Sequence, residues 1–155
     1  MLGSNYTLGN LGNFINKEIG VSDWVEIDQQ RINDFAEVTE DKQWIHVDAD
    51  RAKHSPFGSP IAHGLLLLSM TVKLSIDAGA IPRDASMCIN YGFEKVRFRA
   101  PVKVGQRIRC RVTLMNAKQR GQGRYLLTTR YTIEIEGVSK PACVADGLGL
   151  FYQQV

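Results

Sequence analysis

Cysteine is scarce in this 155-residue sequence, and its three cysteines form no recognisable pattern. Cys88, Cys110 and Cys143 are odd in number, widely spaced and not arranged as a CxxC pair. This usage argues against a disulfide framework, because such frameworks contain paired cysteines at close spacings. We therefore expect three buried free thiols in a reducing compartment.

The sequence also shows no pattern typical of a secretory signal or of a membrane span. The first twenty residues lack a basic region followed by an apolar run, which predicts a cytoplasmic location. The most apolar stretch, residues 61–81, contains His63, Lys73 and Asp77, which are costly in hydrocarbon. We interpret this stretch as a core helix and expect no contact with a membrane.

Acidic residues are absent from one long segment. The whole chain has a net charge of +3, too small to indicate a polyelectrolyte partner. Residues 95–130, however, contain eleven Lys or Arg and no Asp or Glu. Such a segment is either a solvated face or a surface that meets an anionic partner. Nucleic acid is disfavoured, because interleaved stacking aromatics and known binding motifs are missing.

The length of the whole chain and its lack of linkers predict a single domain over residues 1–155.

The first half of the chain has the hydrophobic periodicity of helices. We predict a short amphipathic helix near residues 11–15 that ends at Gly20, a brief strand at 23–27, and a helix from the N-cap Asp28 to about Glu40. Residues 41–60 read as an ordered connector, in which Asp48 can cap one turn. Residues 64–79 predict a helix that is apolar nearly all round and therefore buried centrally.

The second half of the chain has a period of two, which indicates half-buried strands. Apolar and polar residues alternate over 107–114 and 125–135, and β segments are predicted at 87–91, 95–100 and 142–152. Gly105, Gly121, Gly123 and Gly137 mark turns. Together these elements predict an α+β domain, in which an antiparallel sheet wraps around the long central helix.

Asp41 and His46 in the connector are candidates for acid–base chemistry. Five residues apart, they would point about 140° away from each other on a helix, so they converge only if the chain turns after the first helix. A carboxylate and an imidazole that face one water can move protons in both directions near neutral pH. Taken alone, such a pair is more often a structural hydrogen bond.

Gly64 is the second candidate, at the predicted start of the central helix. Backbone N–H groups at a helix N-terminus lack intrahelical partners and can bind a negatively charged oxygen. The alternative is that glycine is needed there only to let the helix approach the sheet.

The motif around these residues is specific enough to identify a family. Residues 41–48 read D-x-x-x-I-H-x-D, and PIAHG follows at residues 60–64, eighteen residues from His46 to Gly64. This arrangement resembles the hydratase motif of the MaoC-like (R)-specific enoyl-CoA hydratases. Residues 90–105, NYGFEKVRFRAPVKVG, resemble the strand region after the family's central helix. The similarity covers about residues 20 to 152 and is greatest to the single-hotdog branch that includes the nodulation-protein-N-like proteins.

The resemblance implies a hotdog fold and reversible hydration of a trans-2-enoyl-CoA to the (R)-3-hydroxyacyl-CoA. Asp41 and His46 would hold the catalytic water and exchange its protons, and the Gly64 amide would stabilise the enolate-like oxygen. No metal and no cofactor is implied. Two positions depart from the family pattern, because Gln43 replaces a frequent Asn and Glu40 replaces a frequent Gly.

Further residues are candidates for binding the substrate, which is an acyl-CoA or an acyl-carrier-protein thioester. Gln43 keeps a side-chain amide near the water, and Ser59 would border the acyl pocket. Arg97 and Arg107, within the basic segment, would meet the phosphates of the carrier. A metal site built on His46, His54 and His63 is disfavoured, because their spacings match no usual ligand pattern.

Two other functions compete with hydration. A hotdog acyl-CoA thioesterase would share the fold, and a non-catalytic acyl-thioester-binding subunit would be expected to lose Asp41 or His46. For any of these functions we expect a homodimer, because one hotdog sheet leaves an unpaired edge and a partly apolar flank.

Overall fold

The alternating segments of the second half form the long strands of a six-stranded antiparallel sheet. The computed structural model describes residues 5–154. The strands are β1 (Lys17–Val21), β2 (Val25–Glu26), β3 (Ala85–Phe98), β4 (Arg107–Gln119), β5 (Arg124–Ile135) and β6 (Val138–Gln153). Their order is β1-β4-β5-β6-β3, with β2 also paired to β4. Strand β3 is therefore at one end of the sheet.

The central helix α4 (Gly64–Asp77) packs against this sheet and forms the core with it. Leu66, Leu67 and Leu74 are buried, as predicted. The expectation of a helix buried all round was wrong, because Leu65 and Ile76 are 60% and 59% exposed. A single sheet covers only one face of a helix, so the opposite face remains uncovered. No helix within residues 5–154 is both long and apolar enough to cross a membrane.

Helix α1 (Gln29–Thr39) begins and ends as predicted. The Asp28 carboxylate accepts a hydrogen bond from the Arg31 backbone N–H at 2.8 Å, which caps the helix. Glu40 has a φ of 61°, and this left-handed residue ends the helix and turns the chain. The connector then forms two short helices, α2 (Trp44–Val47), which the sequence did not reveal, and α3 (Ala49–Ala52), which Asp48 caps as expected.

The structure corrects two boundaries. The N-terminal segment forms a 3-10 helix over Leu8–Phe14, and Gly20 lies inside β1 instead of ending a helix. A Cβ at Gly20 would come within 2.3 Å of the Ala78 carbonyl oxygen, so close packing of β1 on the end of α4 explains this glycine. The β segments predicted at 87–91 and 95–100 belong to one strand, β3, whose pairing with β6 shifts register at three bulges.

The three cysteines are free, but only two are buried. Burial raises the pKa of Cys110 to about 12 and that of Cys143 to about 11, so neither thiol ionises near neutral pH. The prediction of burial was wrong for Cys88, which is exposed on β3. The apolar pattern around Cys88 reflects a strand at the end of the sheet rather than a strand in its middle.

Candidate active site

The turn after α1 brings Asp41 to His46, although the two side chains would diverge on a continuous helix. A carboxylate oxygen of Asp41 and one ring nitrogen each of His46 and His63 all lie within 4.8 Å of one another. Asp41 is exposed, whereas both imidazoles are buried. A solvent-accessible carboxylate therefore lies beside a desolvated base.

The hydrogen bond of His46 determines which ring nitrogen is available. Its Nδ1 lies 2.7 Å from the Ile61 carbonyl oxygen, and a carbonyl can only accept, so Nδ1 carries the proton. In the neutral ring, Nε2 then holds the free lone pair. Burial lowers the pKa of His46; nearby His63 lowers it further, while the Ile61 hydrogen bond and Asp41 oppose the shift. His46 is therefore neutral at physiological pH and able to accept a proton at Nε2.

His63 lies directly against His46. The two rings stack with centroids 3.7 Å apart and an angle of 24° between their planes. The Nε2 of His63 donates to the backbone carbonyl of Asp41 at 2.9 Å, and its buried Nδ1 has no partner within residues 5–154. Sequence reasoning missed this contact, because ring stacking between residues seventeen positions apart leaves no local pattern.

Gly64 is the first residue of α4, so its amide has no intrahelical acceptor. A Cβ at this position would lie 2.9 Å from the Phe98 ring, so glycine also allows β3 to pack against the helix start. Both explanations offered for Gly64 by the sequence thus have a structural basis, and they do not exclude each other.

A cleft of about 340 Å³ opens at this point. Its lining includes His46, Gly64, Leu67, Phe98 and Arg99. Most of the lining is apolar, so a reacting group that enters it is partly desolvated, and its electrostatic interactions are strengthened.

A second cavity, of about 310 Å³, lies between α4, β3 and β6. Gly64, Leu67, Thr71 and Ser75 follow one face of the helix, from the first cleft to this cavity. Gly147 keeps part of the wall flat, because a Cβ there would come within 2.7 Å of the Tyr131 ring. Both spaces therefore lie along the same face of the helix.

The remaining predicted site residues are distributed unevenly around the cleft. Gln43 is exposed at the N-cap of α2 and does not cap it with its side chain. The Ser59 hydroxyl donates to the Pro60 carbonyl at 3.2 Å, and Ser59 is not in the cleft lining. Arg97 borders a shallow depression with Phe98, Arg99 and Lys140, next to the cleft. Arg107 pairs with Glu136 at 3.2 Å and is in neither lining.

Among the described residues, four of the eleven basic side chains of this segment form ion pairs with carboxylates from other parts of the chain. Arg109 and Arg111 both bind Glu134 at 2.7 Å, and Arg111 also binds Glu18 at 2.9 Å. Arg130 pairs with Asp146. Within residues 5–154, no carboxylate lies within ion-pair distance of Arg99 or Lys140, so these two cations beside the cleft are available to an anionic ligand.

A shared metal ion does not fit the two histidines. A ligated ion lies in the plane of each imidazole that binds it. The rings of His46 and His63 are stacked 3.7 Å apart and only 24° from parallel, so one ion at bonding distance cannot lie in both planes. The arrangement instead suits a neutral base with a second ring packed on it.

The sheet around one central helix, with an imidazole, a carboxylate and a free amide at the start of that helix, places the protein in the class of hotdog-fold hydro-lyases. The family model described as the MaoC like domain matches residues 10–136. The chain therefore belongs to the MaoC-like dehydratase family.

Named relatives agree with this assignment. The chain is 44% identical over 132 residues to 3-hydroxyacyl-thioester dehydratase Z of Mycobacterium tuberculosis, covering 85% of this chain and 87% of that protein. It is 39% identical over 145 residues to nodulation protein N of Rhizobium meliloti, covering 93% and 90%. The (R)-hydratase from A. caviae superposes with a TM-score of 0.67 at 25% identity, covering 85% and 95%. The relatives named as a dehydratase and as a hydratase confirm the expected enzyme class, a hydro-lyase.

Proposed function

We propose that this protein catalyses the reversible hydration of a trans-2-enoyl thioester to the (R)-3-hydroxyacyl thioester. The observation that carries the proposal is the meeting of the Asp41 carboxylate and the His46 ring beside the start of α4, where Gly64 has a free amide. The relative named 3-hydroxyacyl-thioester dehydratase Z supports the same substrate class.

The reaction needs a base, a proton donor and a stabilised oxyanion. Water adds through its oxygen to C3, the C2–C3 π bond breaks, and negative charge develops on the thioester oxygen until C2 is protonated. In the proposed site, Asp41 and His46 hold the water, Nε2 of His46 accepts one of its protons, and the pair returns a proton to C2. The Gly64 N–H donates to the thioester oxygen.

The surroundings of the site suit an acyl thioester on a phosphate-bearing carrier. The mostly apolar cleft at the start of α4 would take the part of the acyl chain next to the thioester. Arg99 and Lys140, together with Arg97, would meet phosphate oxygens of CoA or of an acyl-carrier-protein arm. Arg107 is less suited to this role, because its guanidinium already forms an ion pair with Glu136. Gln43 and Ser59 remain candidates for contacts at the rim, and a cytoplasmic location remains a prediction.

The proposed active form is a homodimer. Within the described residues, β3 pairs only with β6, which leaves a fourteen-residue strand with one free edge. Apolar side chains lie exposed along it and on the adjoining face of α4: Leu65, Val72, Ile76, Met87, Ile89, Tyr91 and Phe93. A second copy related by a two-fold axis would present the same edge in antiparallel orientation and cover this surface.

The decisive experiment measures hydration of crotonyl-CoA and longer enoyl-CoAs by wild type, Asp41→Asn and His46→Gln. Either change should lower turnover about 100-fold or more, because each removes acid–base function from the water. The double variant should be little worse than the poorer single variant, since the two groups act as a unit. Asp48→Asn, which keeps an N-capping side chain on α3, is the matched control and should retain activity.

The same assay separates the competing functions. Loss of the enoyl absorbance without release of free thiol identifies hydration, whereas thiol release identifies a thioesterase. Enoyl-CoA binding without turnover identifies a binding subunit. Turnover above about a tenth of wild type in a folded Asp41→Asn or His46→Gln protein contradicts the proposed mechanism.

A further inference from the structure

His63 contacts both His46 and Asp41 and directly precedes Gly64, although it takes no part in the proposed proton transfers. Its ring stacks on His46, its Nε2 donates to the backbone of Asp41, and it is the N-cap residue directly before Gly64. The side chain is enclosed, because the residue is only 3% exposed and Phe35 lies 5.0 Å from the ring.

We propose that His63 is a positioning residue, which holds the His46 ring and the backbone of Asp41 in fixed positions relative to the Gly64 amide. The proposal rests on the hydratase function proposed above. His63 does not touch the reacting atoms in this role. It acts through the orientation of the two groups that do.

The first step of the argument concerns the Asp41 turn. Glu40 and Asp41 follow a helix end, and Asp41 is exposed, so packing does little to hold its backbone. The His63 Nε2–H···O=C bond at 2.9 Å ties this backbone to the start of α4 across 22 residues of sequence. The other hydrogen bond of the Asp41 backbone, from its N–H to Thr39 Oγ1 at 3.5 Å, is long and local. Without the His63 bond, Asp41 would lose its link to the start of α4, and displacements of about 1 Å can cost about 100-fold in rate.

The second step concerns the His46 ring. The Ile61 carbonyl fixes one nitrogen of that ring, and a flat partner at 3.7 Å fixes its plane. Together these two contacts fix the direction in which the Nε2 lone pair of His46 points. The stack also has an electrostatic consequence, because two imidazolium rings this close would repel each other, which favours neutral His46.

The third step concerns the tautomer of His63. Because Nε2 donates to a carbonyl, Nε2 must be protonated, and the neutral ring then has a bare Nδ1. That nitrogen is buried without a partner among the described residues, an arrangement that is energetically costly. A histidine kept in spite of this cost is more consistent with a positioning role than with filling space.

The test compares His63→Phe, which keeps a flat ring against His46 but removes the donor to Asp41, with His54→Phe as control. His54 is exposed and outside the site. In His63→Phe, kcat should fall about 10- to 100-fold with little change in KM, since positioning affects the reacting geometry. The acid limb of the kcat/KM profile should also move to higher pH, because the electrostatic effect by which His63 lowers the pKa of His46 is removed. His54→Phe should behave like wild type.

A measurement on the wild-type protein is independent of folding of the variant and of enzyme activity. The chain has only three histidines, so long-range 15N NMR of labelled imidazoles resolves each ring. We expect His46 with its proton on Nδ1 and His63 with its proton on Nε2. A proton on Nδ1 of neutral His63 overturns the proposal, as does a folded His63→Phe protein with unchanged kcat and pH profile. If wild type lacks hydratase activity while both tautomers are as expected, the proposed function fails and the positioning contacts stand.

Discussion

Gly64 combines a packing requirement with a proposed chemical one. The Phe98 ring lies 2.9 Å from the position that a Cβ on Gly64 would take, and the Gly64 amide is free at the helix start. His63, which precedes it, has φ −60° and ψ 137°, a conformation that tolerates a following proline. The two requirements can therefore be separated by substitution.

We predict that the oxyanion role persists once the packing conflict is removed. In a Phe98→Ala background, Gly64→Ala has room for its methyl group and keeps the N–H, whereas Gly64→Pro loses it. Turnover of the proline variant should be about 100-fold or more below that of the alanine variant. Equal turnover in the two double variants, both folded by circular dichroism, would assign Gly64 to packing alone.

The pKa of His46 predicts the acid limb of the pH profile. Burial lowers this pKa from 6.5, so the neutral base persists to lower pH than an ordinary histidine would allow. The limb of kcat/KM controlled by His46 should therefore have its midpoint below pH 6.5. A midpoint above 6.5 in enoyl-CoA hydration would contradict the neutral-base assignment.

The same shift has a consequence for stability. Because the folded state disfavours the proton on His46, the unfolded state binds it more readily, and the free energy of unfolding should decrease as pH falls through about 6.5. Above that pH, neither state is protonated at this position and the effect vanishes. Urea denaturation of wild type and His46→Gln at pH 5 and pH 8 should show a smaller pH dependence in the variant.

At the scale of elements, β5 and β6 are joined by a partly buried ion pair. Arg130 binds both carboxylate oxygens of Asp146 at 2.7 and 2.8 Å, and the Asp146 side chain is only 8% exposed. The guanidinium lowers the pKa of Asp146, so the pair stabilises the fold above the unfolded-state pKa of the carboxyl and loses this effect as pH falls.

Arg130→Met should leave this carboxylate without its guanidinium and destabilise the protein by about 2 kcal/mol at pH 7. The value lies below that of a fully buried pair, because Arg130 is 40% exposed. Arg107→Met is the matched control on β4, and since its pair with Glu136 is nearly half exposed on both sides, it should cost less than about 1 kcal/mol. Similar midpoints for both variants in urea would contradict this ranking.

At the scale of the whole molecule, the exposed apolar strip on α4 and β3 is the main surface that the single chain leaves uncovered. Ile76→Lys places a charge in this strip, where Ile76 is 59% exposed. We predict that it shifts the protein from a dimer toward a 17.3 kDa monomer in sedimentation velocity. Val38→Lys, at an 85% exposed position on α1, is the control and should remain dimeric. A monomeric wild type at micromolar concentration would contradict the dimer.

Local patterns in the sequence were sufficient for most of the elements. The Asp28 cap, the period-3.6 face of α1 and the strict alternation of β4 and β5 appear in the structure where the sequence predicts them. They were readable because each depends on residues within one or two turns or along one strand. The motif at residues 41–64 likewise identified the family.

Other features of the structure depend on contacts between segments that are far apart in the sequence. The ion pairs of the basic segment depend on Glu18, Glu134, Glu136 and Asp146, which lie outside it in sequence. The exposure of Cys88 and of one face of α4 follows from the position of β3 at the end of the sheet. The contact of His63 with both His46 and Asp41 depends on how the connector folds back onto the start of α4. The sequence by itself determined most of the elements, because propensity and periodicity are local. The tertiary structure decided which charges are paired and which rings stack, because those energies depend on distances between remote residues.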